Sequence, residues 1–218
     1  MDDAIDIALD QLLKSGSDAT PDFEGAINFA LNILRNQLDP MYVYHNITHT
    51  ESDVMPNAVR LAKLSGLSDE EIKLLRVASS YHDVGYLEGA KEHEARSCVV
   101  VRNHLPDFNF SAEQIDAICE MIMATRIPQS PKNLVGQILA DADLDLLGRD
   151  DFPGVSNRLR LELLNSGNEL TDTQWYSQQI SFLESHTYFT QAAIETRLPQ
   201  KEKNIAWLKE MLAISSQE

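Results

Sequence analysis

The chain has 218 residues, 43% of them apolar and 24% charged, and a formal net charge of −16. Those proportions suit a globular protein with its own core, and no apolar run approaches the roughly 20 residues that a bilayer span needs, so no membrane partner is expected. So acidic a chain repels a phosphate backbone, which proteins usually meet with a basic face, and this argues against nucleic acid as a partner.

In chain order, the acidic opening "MDDAIDIALD" lacks the basic start of a secretory signal, which makes a cytoplasmic location the expectation. "PDFEGAINFALNILRNQL" carries the helical period, and Thr50 to Ser65 repeats it with Val54, Ala58, Leu61 and Ala62. In "SDEEIKLLRVASSYHD", Ser68 and Glu71 form a capping box. Leu75, Ala78, Ser79 and His82 then share one face, which aims His82 inward. Gly85 is expected to end this helix as a left-handed residue, leaving His82 and Asp83 in the last turn.

"SAEQIDAICEMIMATR" repeats the pattern, with Ser111 and Gln114 as the box and Ile115, Ile118, Cys119 and Ile122 as the stripe. Cys98 and Cys119 fit no metal-binding spacing and read as reduced core thiols. "NLVGQILADADLDLLG" is expected to run as one helix to Gly148, with Val135, Leu139, Ala142, Leu146 and Leu147 as its apolar face. "FPGVSNRLRLELLNSG" and "QKEKNIAWLKEMLAI" supply further helices, and Trp175, Tyr188, Phe189 and Trp207 read as their apolar contacts with the core. Alternating apolar and polar runs are nearly absent, so the fold class is all-α. A single domain over 1–218 is expected, with a core at about 44–148 and, beyond it, a C-terminal helical extension at about 151–218.

Asp143 falls inside an apolar face. A carboxylate there costs several kcal/mol unless it is paired or bound to a metal. Asp141 lies with Leu134, Ile138 and Asp145 on a face that grades towards solvent. In "YVYHNITHTESDV", His45 and His49 are four apart and share a face if helical. Two imidazoles and two carboxylates suit a borderline divalent ion such as Mn, Fe, Co, Ni or Zn, with Mg compatible, and leave positions for water or substrate.

The order His49, then His82-Asp83, then Asp143 resembles the HD-domain superfamily of metal-dependent phosphohydrolases, over roughly Tyr44 to Gly148. "YHNITH" and "SSYHDVGY" resemble small bacterial members whose pair reads HD-[IV]-G-Y. The resemblance implies an all-helical HD core with additional N- and C-terminal helices, and one divalent metal held by His49, His82, Asp83 and Asp143. "YHNITH" is also similar to a segment of the cyclic-nucleotide phosphodiesterases in which the first histidine protonates the leaving oxygen. Carried over, this makes His45 a general acid. Val84-Gly85-Tyr86 departs from the His-Pro-Gly that follows in that family, which steers the reading away from cyclic nucleotides.

The expected function is therefore metal-dependent hydrolysis of a phosphoester in a small phosphorylated partner, expected to be a nucleotide, with Asp83 and His45 as catalytic residues. An alternative is a catalytically weak module that binds nucleotide or phosphate as a sensor. Arg126, Lys91 and Arg96 are candidates to bind the phosphate, with Lys132 beside them, and a guanidinium suits that task. His93 would touch substrate or complete a second metal site, His104 is a weaker candidate, and His186 reads as structural. The composition is compatible with a homodimer.

Overall fold

A computed structural model describes residues 20–217, so the acidic opening segment lies outside the described residues. Nine α-helices and several tight turns make up the described chain, with no strand among those residues, and the all-α expectation holds. Helix α1 (Phe23–Gln37) starts where the Asp22 carboxylate accepts the Gly25 N–H at 2.8 Å. A π-helical turn (His49–Val54) leads into α2 (Met55–Leu64). Helix α3 (Asp69–Tyr81) opens on the expected Ser68–Glu71 box, and a 3₁₀ turn (Val84–Glu88) connects it to α4 (His93–His104). Helix α5 (Ala112–Met123) opens on the Ser111–Gln114 box and is followed by α6 (Leu134–Asp143). After a 3₁₀ turn (Asp145–Gly148) come α7 (Phe152–Asn165), α8 (Asp172–Ser185) and α9 (Gln191–Ser215).

The first six helices bury one apolar cluster that includes Ala30, Leu61, Leu75, Ala78, Ile118 and Leu139. A large aliphatic side chain buried in this way contributes about 1.5–3 kcal/mol. A second cluster, including Tyr44, Leu147, Phe152, Leu183 and Leu208, joins the 145–148 turn to α7, α8 and α9. The C-terminal helices are thus packed onto the segment that ends α6.

Four local readings differ from the structure. The helix expected to reach Gly148 ends at Asp143, where Leu144 takes φ −99° and ψ 19°. Gly148 is a glycine because a Cβ there would collide with the Arg197 carbonyl of α9. Gly85 does not adopt the left-handed conformation, since the glycines with positive φ are Gly66, Gly89 and Gly167. Its small size instead lets α4 close on the turn after α3. A Cβ would strike the His93 carbonyl, and the Gly85 N–H donates to Ser97 Oγ at 2.9 Å.

The face of α6 that grades towards solvent by periodicity is covered. Asp141 is 0% exposed and Asp145 2%. The Asp141 carboxylate accepts the N–H groups of Phe189 and Thr190 and the Thr190 hydroxyl at 2.8, 2.8 and 2.7 Å, which anchors the start of α9. Asp145 meets Arg60 at 3.2 Å and Arg197 at 2.7 Å. Periodicity assumes one buried face per helix. Helix α6 has the core on one side and the C-terminal helices on another.

Candidate metal centre

Three elements place four ligand-type side chains together. His49 begins the π-helical turn, His82 and Asp83 follow α3, and Asp143 is the last residue of α6. His82 is fully buried, and its Nδ1 lies 2.8 Å from the Ser79 carbonyl. A carbonyl can only accept, so Nδ1 carries a proton and Nε2 is the nitrogen that a metal could bind once its own proton is lost. That Nε2 stands 3.1 Å from Asp83 Oδ2 and 3.4 Å from Asp143 Oδ1. His49 Nε2 stands 3.1 Å from Asp143 Oδ1 and 3.7 Å from Asp83 Oδ2.

Three of these separations, at 3.1, 3.1 and 3.4 Å, fit neighbouring ligands of a metal, and the fourth, at 3.7 Å, is slightly wider. Neighbouring ligands at about 2.1 Å from an ion lie about 3 to 3.5 Å apart. His82 Nε2 and Asp83 Oδ2 are both buried and, although close, are not aligned as a hydrogen bond and have no other partner. Two orphaned buried polar atoms directed at a common point are costly unless something positive sits between them. Among the described residues, His49, His82 and Asp83 form the cluster whose ligand atoms all lie within 4.8 Å of one another.

The electrostatics lead to the same point. Burial opposes charge on His82, but the Asp83 and Asp143 carboxylates outweigh it and raise the imidazole well above its usual range. Burial likewise opposes charge on Asp83 and Asp143, and the neighbouring histidines hold both carboxyls well below the usual range. The pocket therefore favours positive charge, which a divalent ion supplies directly.

His45 sits beside this cluster and stacks on Tyr86, with ring centres 4.5 Å apart. Its Nδ1 is 2.5 Å from Oε1 of Glu162, a residue of α7 that is 5% exposed. Glu162 Oε2 accepts the backbone N–H groups of Tyr44 and His45 at 2.8 and 2.9 Å. Burial pulls the His45 pKa down, but the hydrogen bond with Glu162 and the charges of Asp83, Glu162 and Asp143 raise it on balance. Sequence reasoning missed Glu162. The signal was present, because Glu162 continues the inward stripe of Phe152, Val155 and Leu159 and is a carboxylate in an apolar face, as Asp143 is.

His93 lies on the other side of Asp83, with Nε2 3.4 Å from Asp83 Oδ1 and 3.6 Å from Glu94 Oε1. The structure does not bring the expected cations into the site. Arg126 is 48% exposed and pairs with Glu92 at 3.3 Å. Arg96 donates to the Gly89 and Lys91 carbonyls and so folds the loop before α4, while Lys91 itself faces solvent. Lys132 borders a different surface hollow with Arg102 and Asp116. His104 packs on Phe29 with ring centres 4.6 Å apart, and His186 lies 3.1 Å from Lys201 Nζ.

A cavity of about 270 Å³ opens beside the cluster. Tyr44, His45, Asp83, His93 and Asp143 border it, and the 144–147 segment with α7 and α8 supplies apolar wall. Among the described residues, no helix is long and apolar enough to cross a membrane.

No family model matches this sequence, and no curated protein does. Among solved structures, the chain is similar to the crystal structure of a predicted HD superfamily hydrolase from an uncultured Thermotogales bacterium. The TM-score is 0.59 at 20% identity, covering 94% of this chain and 97% of that one. The likeness extends over the C-terminal helices as well as the core, and it shows that the fold is of the HD type.

Proposed function

We propose that this chain is a metal-dependent hydrolase of phosphate esters, with His49, His82, Asp83 and Asp143 holding a divalent ion. One observation carries the reading. Four ligand-type atoms from three elements converge at the spacing of neighbouring metal ligands, and two of them are buried without another partner. The hydrolase named in the structural comparison supports the same reaction class. The ligand set accepts Mn, Fe, Co, Ni, Zn or Mg.

A divalent ion here would polarise a phosphoryl oxygen and lower the pKa of water towards neutrality. Asp83 has two oxygens with separate tasks. Oδ2 faces His49 and His82, and Oδ1 is turned towards His93, placed to orient the attacking water and accept its proton. As the new P–O bond forms, the ester P–O bond breaks, and the departing oxygen needs a proton. His45 supplies it. Glu162 engages Nδ1, so the remaining nitrogen, Nε2, is the one that donates from a ring bordering the cavity. General acid help of this kind is worth about 10²- to 10⁴-fold. His93 and Glu94, beside the second oxygen of Asp83, offer a place for a second cation. The substrate is a small phosphorylated molecule, nucleotides included.

The test is turnover of a panel of aryl phosphates and nucleoside monophosphates with Mn²⁺ or Co²⁺. Activity is expected, with Asp83→Ala inactive and His45→Gln slowed on esters of poorly leaving alcohols. No turnover across the panel, or an Asp83→Ala protein as active as wild type, overturns the reading.

A further inference from the structure

We propose that the cavity selects a phosphate monoester whose organic group is largely apolar and carries one hydrogen-bonding function, which Gln179 reads. The phosphate end of this assignment rests on the hydrolase reading, whereas the organic end stands on the cavity alone.

Charge excludes longer phosphate chains. The ionisable residues bordering the cavity include the carboxylates Asp83, Glu94 and Asp143, and among the described residues no lysine or arginine lines it. One divalent ion between two aspartates is already neutralised. A single phosphoryl group there can draw on the ion and on His45, but each further phosphate brings one or two negative charges with no side-chain cation on the described lining to meet them, only a second bound cation beside His93 and Glu94. Of the arginines close to lining residues in sequence, Arg96 and Arg126 are committed to loop carbonyls and to Glu92, Arg149 to Asp53 and Asp151, and Arg160 to Asp172.

The remaining wall is apolar. Leu144 and Leu147 come from the segment after α6, Phe152 and Leu159 from α7, and Phe182 from α8. A volume of about 270 Å³ is at the small end for a ligand pocket, enough for one ring system beside the phosphoryl group. The polar side chains on this wall are mostly spent. Ser156 donates to the Pro153 carbonyl at 3.2 Å, and Thr125 donates to the Ile122 carbonyl at 2.8 Å. Gln179 differs, because it is 9% exposed and its amide makes no hydrogen bond among the described residues. Its amide atoms are not sealed from the cavity, so a ligand offering an acceptor or a donor takes the place of water there.

The experiment uses primary-alcohol esters, so that the leaving group stays chemically constant. With Mn²⁺, kcat/KM for 2-phenylethyl phosphate is expected to exceed that for ethyl phosphate at least about tenfold, through KM. Adding a second phosphate to 2-phenylethyl phosphate should lower it by a similar factor. Gln179→Leu should lower kcat/KM about tenfold for the para-acetamido derivative and leave the para-isopropyl derivative within about twofold. A general packing defect would lower both alike. Binding of the two free alcohols to metal-stripped protein supplies a readout without catalysis, and the acetamido alcohol should bind more weakly to Gln179→Leu. Ethyl and phenylethyl esters turned over equally, or both derivatives affected equally by Gln179→Leu, overturn the proposal and leave the hydrolase reading standing. Selective alcohol binding with no ester turnover upholds the cavity assignment and removes the hydrolase reading. Neither binding nor turnover overturns both.

Discussion

Glu162→Gln tests the proton-donating role proposed for His45 without touching a proposed metal ligand. The carboxylate accepts three hydrogen bonds, from the N–H groups of Tyr44 and His45 at 2.8 and 2.9 Å and from His45 Nδ1 at 2.5 Å. The amide has nearly the same shape. Its oxygen can keep the two backbone donors, but its NH₂ group then faces Nδ1, which must accept rather than donate. His45 is left neutral, with its proton on Nε2. A hydrogen bond to a charged group contributes about 1.5–3 kcal/mol, and one pKa unit corresponds to about 1.4 kcal/mol, so the His45 pKa should fall by roughly one to two units. The assay is the pH dependence of kcat/KM with two leaving groups. For an alkyl phosphate, the alkaline limb should move to lower pH by that amount, with roughly a ten- to hundredfold loss above it. p-Nitrophenyl phosphate needs little protonation of its leaving group and should lose less than about threefold. Equal losses on both substrates, with an unmoved alkaline limb, would refute a proton-donating His45 held by Glu162.

Three further outcomes follow from the same geometry. Gly85→Ala places a methyl group against the backbone carbonyl of His93, which cannot swing away as a side chain could, and should destabilise the protein by about 1–3 kcal/mol or more; an unchanged thermal melt would contradict this packing. Burial, reinforced by the Lys201 charge, pushes His186 down to about 4 from an ordinary 6.5. The unfolded chain therefore takes up this proton first, so the stability is intact above about pH 6.5 and falls by about 3 kcal/mol as pH approaches 4. Urea denaturation at pH 7 and pH 4.5 should show a smaller loss for His186→Gln than for wild type, and equal losses would refute the assignment. Arg126→Ala should leave KM within about twofold, since this side chain pairs with Glu92 at the surface; a tenfold rise would restore Arg126 as a phosphate ligand.

Short-range rules made half of the site legible in the sequence. Both capping boxes are read from four adjacent residues, and the helical period that starts at each box aims His82 and the Ile118 stripe inward. Asp143 was legible by cost, since a carboxylate in an apolar face needs a partner. What the sequence hid depends on packing between distant segments. Gly85 and Gly148 look like helix terminators, yet each is small because a remote backbone passes close by. Asp141 and Asp145 look solvent-facing until α9 covers them, anchored by the first and paired through Arg197 with the second. Arg126, Lys91 and Arg96 are near the motifs in sequence but are directed to the surface or the loop, so closeness along the chain was a poor guide to the cavity. Glu162 comes from the far end of the chain, 117 residues from the histidine it holds.

The metal centre itself is most directly tested by calorimetric titration of metal-stripped protein with Mn²⁺ or Co²⁺, in wild type and in His82→Gln and Asp143→Asn. The arrangement of His49, His82, Asp83 and Asp143 predicts a first tight ion per chain whose affinity falls as pH is lowered, because the raised His82 imidazole must lose its proton to bind, and drops at least about a hundredfold in both variants. No saturable uptake by wild type, or undiminished affinity in both variants, would contradict the assignment.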